Sequence, residues 1–125
     1  MRMLIIDDSN ESREAMTYIF KRRGLIVESA MNEKEALSGM KEKPDIIIIN
    51  NVFSEICGFE VGRRIKDDPR TQGIPLIFLT SLMYPSGIIH YSSGQVVEYI
   101  QKPCDIDYLV KEANTLVLEQ SPPPA

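Results

Sequence analysis

The sequence predicts a single α/β domain, a five-stranded parallel sheet carrying helices on both faces. Three observations lead there. Short apolar runs alternate with stretches whose apolar residues recur at every third or fourth position. Two of the runs, Ile46-Ile47-Ile48-Ile49 and Leu76-Ile77-Phe78-Leu79, have no polar face, so both of their sides need cover. The chain has 125 residues, 43% hydrophobic and 26% charged, enough for one core and too few for two ordinary domains.

Taken in order, Met3 to Ile6 reads as the first strand, closed by Asp7-Asp8. Ser9 or Asn10 can cap the next helix, in which Ala15, Met16, Ile19 and Phe20 share a face. Lys21-Arg22-Arg23 suits the negative end of that helix dipole, and Gly24 ends the helix. Leu25 to Val27 supplies the second strand. Asn32, with Glu35 three residues on, resembles a capping box for a helix that buries Ala36, Leu37 and Met40 before Pro44 stops it. The isoleucine run is the third strand, since β-branched residues favour extended backbone. Asn51 to Cys57 reads as a loop, and Gly58 begins a helical segment through Val61, Ile65 and Lys66. Asp68-Pro69 and Gly73-Ile74-Pro75 bracket a connection to the fourth strand, which ends at Thr80. Ser81 to Ser93 makes a poor helix because it holds Pro85, Gly87 and Ile88-Ile89. Val96 to Ile100 is the fifth strand. The last helix, capped by Asp105, aligns Ile106, Leu109, Val110, Ala113, Leu116 and Val117 on one stripe.

Composition narrows the function. A net charge of −4, with no basic face, argues against direct nucleic-acid contact. Cys57 and Cys104 form no C-x-x-C pair and no disulfide framework, as expected of ordinary thiols in a reducing cytoplasm. No apolar run is long enough for a signal peptide or a membrane span, so a cytoplasmic protein is expected. His90 is the single histidine and makes no metal site alone.

In an open parallel sheet the ligand site lies beyond the carboxyl ends of the strands. That rule brings Asp7, Asp8, Asn50, Thr80 and Lys102 to one place. Adjacent carboxylates are hard oxygen ligands suited to Mg²⁺, and a lysine with a hydroxyl suits a tetrahedral anion such as a phosphoryl group. Each residue alone has an ordinary reading as a helix start, a strand end or a solvated charge. Their convergence is the signal.

Several motifs then carry a resemblance. They are Leu4-Ile5-Ile6-Asp7-Asp8-Ser9, Pro44-Asp45 leading into the isoleucine run and Asn50, Glu55-Ile56-Cys57-Gly58-Phe59-Glu60, Ile74 to Thr80, and Tyr99-Ile100-Gln101-Lys102-Pro103. In order and spacing, about residues 1 to 119 resemble the response-regulator receiver domain of two-component phosphorelay signalling. Residues 120–125 are left as a proline-rich tail or the start of a linker. The resemblance implies a flavodoxin-like fold with strand order 2-1-3-4-5. It implies that Asp7 and Asp8, with the carbonyl of Val52, form the Mg²⁺ site, and that Thr80 and Lys102 hold the phosphoryl group. Thr80 and Tyr99 would be the switch pair, and the Lys102-Pro103 bond would be cis. The implied partner is a protein, either a histidine kinase or a downstream output protein or domain.

The departure is at the centre. Family members carry an aspartate where this chain has Asn50. An amide is a poor nucleophile and forms no acyl phosphate. One lost negative charge also weakens Mg²⁺ binding, and Lys102 can then rest against Asp8. The expectation is a pseudo-receiver that binds partners without turnover and is not an enzyme. The alternative is an ordinary phospho-accepting receiver whose aspartate has been replaced by Asn50. The partner surface of the pseudo-receiver is expected near Tyr84 to Tyr99 and the last helix. A flavin-binding electron carrier of the same architecture is disfavoured, because Asp7-Asp8 would repel a phosphate where such a carrier needs a hydroxyl- and glycine-rich loop.

Overall fold

The computed structural model describes residues 1–50, 62–80 and 96–120, and the backbone of 87–90. The elements run β1 (Arg2–Asp7), α1 (Asn10–Arg22), β2 (Ile26–Ala30), α2 (Glu33–Gly39) and β3 (Ile46–Asn50). They continue with α3 (helical residues 62–67), β4 (Leu76–Thr80), β5 (Gly87–His90), β6 (Val96–Gln101) and α4 (Ile106–Gln120). The sheet order is β2-β1-β3-β4-β6-β5. Five of these strands, β2, β1, β3, β4 and β6, are parallel and stand in the expected 2-1-3-4-5 order. Beyond them β5 pairs antiparallel with β6 and forms a sixth, edge strand.

Alternation along the strands divides the interior in two. One side buries Met3, Ile5, Ile46, Ile48, Ile77 and Leu79 beneath Met16 and Phe20 of α1 and Leu109, Ala113 and Leu116 of α4. The other buries Leu4, Ile6, Ile47, Ile49 and Phe78 beneath Ala36 of α2 and Ile65 of α3. All five residues of β3 and of β4 are buried, as runs without a polar face require. Helices therefore cover both faces.

Local signals explain most boundaries. Ser9 caps α1, its Oγ accepting from the Ser12 amide at 3.3 Å. At the other end Gly24 takes φ +85°, a left-handed turn in which its amide donates to the Lys21 carbonyl at 3.0 Å. Asn32 caps α2 by accepting from the Glu35 amide at 2.8 Å, while Glu35 reaches back to the Met31 amide at 3.3 Å. Asp105 opens α4, accepting from the Asp107 amide at 2.8 Å. Three departures from the sequence reading exceed a single residue. The second strand starts at Ile26 and runs on to Ala30, burying Val27 and Ala30 while Ile26 and Ser29 stay exposed at the edge of the sheet. Helix α2 ends at Gly39, so Met40 leaves it in an extended conformation well before Pro44. The segment that made a poor helix contains β5, whose β-branched pair Ile88-Ile89 suits a strand. The loop from Asn51, the helix start at Gly58 and the tail of residues 121–125 lie outside the described residues.

Candidate functional site

The strand ends bring the expected residues together. Asp7 ends β1 and Asn50 ends β3, directly opposite each other in the parallel register. Thr80 ends β4 one position beyond Leu79, the residue level with Asn50. Lys102 follows β6, its amide donating to the Thr80 carbonyl at 2.7 Å. The Lys102-Pro103 bond is cis. Asp7, Asn50 and Thr80 are buried, while Asp8 is exposed.

Asn50 is the hub of this pocket. Its Nδ2 donates to Asp7 Oδ2 at 3.0 Å and to Ser12 Oγ at 2.8 Å, and it lies 3.5 Å from Met16 Sδ. Its Oδ1 accepts from Lys102 Nζ at 2.9 Å. The amide orientation follows from these neighbours. Turned over, its oxygen would face the Asp7 carboxylate and its NH₂ the lysine ammonium, two repulsive contacts in place of two attractive ones. Asp7 is held from every side: Oδ1 accepts from the Ser9 amide at 2.9 Å, and its carbonyl accepts from Arg13 Nη1 at 2.8 Å. The same guanidinium is anchored by Asn10.

Two expectations need adjustment. Lys102 was to rest against Asp8; its ammonium is instead directed to Asn50, because the amide oxygen faces it in the interior while Asp8 points to solvent. Met16 is expected only on the apolar face of α1. It does lie in the core, but its sulfur also touches the pocket amide. Ser12 and Arg13 escaped the sequence reading. The signal was present in their position on the first turns of α1, immediately after the carboxylates, where side chains overhang the strand ends.

The donor set is a poor fit for a divalent cation in this arrangement. Asp7 Oδ2 already accepts from an amide N–H, and the group beside it presents hydrogens where a cation needs oxygen. Among the described residues, no three His, Cys, Asp or Glu side chains gather as a metal site. Val52 lies outside the described residues.

The aromatic at the expected switch position, Tyr99, is partly buried and packs against the second core. Its ring stacks on Phe78 of β4, with centroids 5.3 Å apart and planes 9° from parallel. Burial pushes the Cys104 thiol up, Asp105 adds to the rise and Lys102 opposes it. A raised thiol offers less of the reactive thiolate. Cys57 and the side chain of His90 lie outside the described residues. No helix among the described residues is long and apolar enough to cross a membrane.

The comparisons agree with this geometry. The family model for the response regulator receiver domain matches residues 3–114. The chain belongs to the response-regulator receiver family. Protein PilH of Pseudomonas aeruginosa is 27% identical over 117 residues, 93% of this chain and 97% of that protein. A probable cyclic di-GMP phosphodiesterase of Vibrio cholerae is 32% identical over 119 residues, 90% of this chain but 26% of that much longer protein. The signal receiver domain of a signal transduction histidine kinase from Syntrophus aciditrophicus superposes with a TM-score of 0.73 at 25% identity, covering 99% of this chain and 96% of that one. Sequences similar to this receiver thus make up nearly the whole of one relative and a minor part of another.

Proposed function

We propose that this receiver domain works without accepting a phosphoryl group, as a protein-binding module of a two-component or phosphorelay system. One observation carries the reading. Asn50 stands at the strand end where the family's acceptor carboxylate is expected, and both hydrogens and the oxygen of its amide are engaged by Asp7, Ser12 and Lys102. In an ordinary receiver the aspartate oxygen attacks phosphorus, an acyl phosphate bond forms, and the donor histidine leaves with the electron pair. The amide nitrogen of Asn50 has its lone pair delocalised into the carbonyl and offers no such attack.

The network also supports reduced Mg²⁺ affinity. With a neutral amide between Asp7 and Lys102, the pocket carries one negative charge fewer than one where three carboxylates meet, so it attracts a cation less. On this reading Thr80 and Lys102 keep the geometry of a phosphoryl site, and Thr80 with Tyr99 the place of a switch, with no phosphoryl group to drive them. The partner is a histidine kinase or an output protein or domain, met in the cytoplasm and without catalytic turnover by this chain.

The intact Thr80–Lys102 side of the pocket favours one second reading, an ordinary receiver whose aspartate has been replaced. Intact mass after incubation with acetyl phosphate and Mg²⁺, beside an Asn50→Asp variant, separates the outcomes. An unmodified native chain with a singly phosphorylated variant is the expected result, and marks a working pocket silenced at one residue. No modification of either chain would mean that the pocket has diverged beyond position 50. A stable phosphoryl group on the native chain would overturn the proposal.

A further inference from the structure

Among the described residues, the buried charged side chains are Asp7 and Glu98, and only Asp7 belongs to the pocket. Glu98 is 4% exposed in the middle of β6. It lies between Val96 and Ile100, the residues of that strand face that pack beneath Leu109, Ala113 and Leu116 of α4. Its lateral neighbours in the sheet are Ile77 of β4 and Ile88 of β5, both apolar residue types. Its Oε1 has no hydrogen-bond partner. On α4, Glu112 is half-buried and lies three residues from Leu109 and four from Leu116, on the side of the helix that faces the sheet; its carboxyl, and after it the charge of Glu119, act on Glu98. Burial raises the Tyr108 phenol above its ordinary value, and the Glu112 and Glu98 charges add to the rise.

We propose that α4 is docked on the sheet through a proton shared by Glu98 and Glu112, and that loss of this proton loosens the helix. Two ionised carboxylates in an apolar seat repel each other, whereas one protonated carboxyl donates to the other. The groups acting on Glu98 raise its affinity for the proton together: burial first, then the hydrogen bond to Glu112, its charge, and the charge of Glu119. The result lies at about 7, against an ordinary 4.5. The proton belongs to the pair rather than to either side chain. Because the folded state binds it more tightly than the unfolded chain, its contribution is complete below about pH 4.5 and is lost as pH rises through about 7. This device is independent of the pocket chemistry, although α4 begins four residues after Lys102.

The test is urea unfolding of the whole chain followed by far-ultraviolet circular dichroism, for the native protein, Glu98→Gln and Glu112→Gln. Between about pH 5 and about pH 8 the native folding constant should fall roughly fifty- to hundredfold. Glu98→Gln, whose amide can donate to Glu112 at any pH, should flatten that fall. Glu112→Gln removes the repelling charge and should make the fall shallower and move it to lower pH. A flat native profile, or an unchanged slope in Glu98→Gln, would overturn the inference. Carbon-13 titration of the Glu98 carboxyl in the native protein gives a reading that needs no variant to fold. A midpoint near 7 supports the shared proton, and one near the ordinary carboxylate value refutes it.

Discussion

At the residue scale, the pocket turns on what Asn50 donates. A carboxylate there would stand about 3 Å from Asp7 and about 3 Å from Lys102, and at an effective dielectric of 20 each interaction is on the order of 5 kcal/mol with opposite sign. The two charge terms nearly cancel. What remains is the loss of two donated hydrogen bonds, leaving the buried Asp7 Oδ2 and the Ser12 hydroxyl without their donor, a cost of about 1–3 kcal/mol. Asn50→Asp should therefore be less stable than the native chain by that amount in the presence of a chelator. Added Mg²⁺ should restore the variant by binding only its folded form, and should leave the native melting temperature unmoved. Melting curves with and without Mg²⁺ read both effects. A native chain stabilised by millimolar Mg²⁺ would contradict the poor fit of its donor set.

At the scale of elements, α3 approaches β4 through a glycine. A Cβ built on Gly62 would overlap the ring of Phe78, which Tyr99 already covers by stacking. Gly62→Ala should thus force the helix or the ring aside and cost about 1–3 kcal/mol in chemical unfolding, with part of the loss recovered in a Gly62→Ala/Phe78→Leu double variant. Failure of the second change to rescue the first would place the strain elsewhere. The same contact marks where the sequence stops being legible. Caps at Ser9, Asn32 and Asp105, and the fully buried strands β3 and β4, are written in residues a few positions apart, and local chemistry decides them. The convergence of Asp7, Asn50, Thr80 and Lys102 follows from the rule for parallel sheets. What no local pattern carries is a meeting of distant side chains, such as Asn50 with Ser12 and Met16, Phe78 with Gly62, or Glu98 with Glu112. Strand β5 was illegible for a different reason. Its four residues are too few for any periodicity, and only their poor helix-forming tendency showed.

At the scale of the molecule, stability should be graded across the sheet from its centre outward. Strand β3 lies between β1 and β4, has every residue buried, and contributes to both cores. Breaking it exposes both layers at once, so its amides should exchange with solvent only through global unfolding. Strand β5 is different in kind. Among the described residues it pairs with β6 alone, across four positions, and its antiparallel register leaves alternate backbone groups pointing away from the sheet. Such an edge can open while the pairing of the five parallel strands stays intact. Native-state hydrogen exchange should therefore show Ile47 to Ile49 protected to the full unfolding free energy, with Ile88 and Ile89 exchanging faster by several orders of magnitude. If the β5 amides instead share the protection of β3, the edge strand is bound into the global unit.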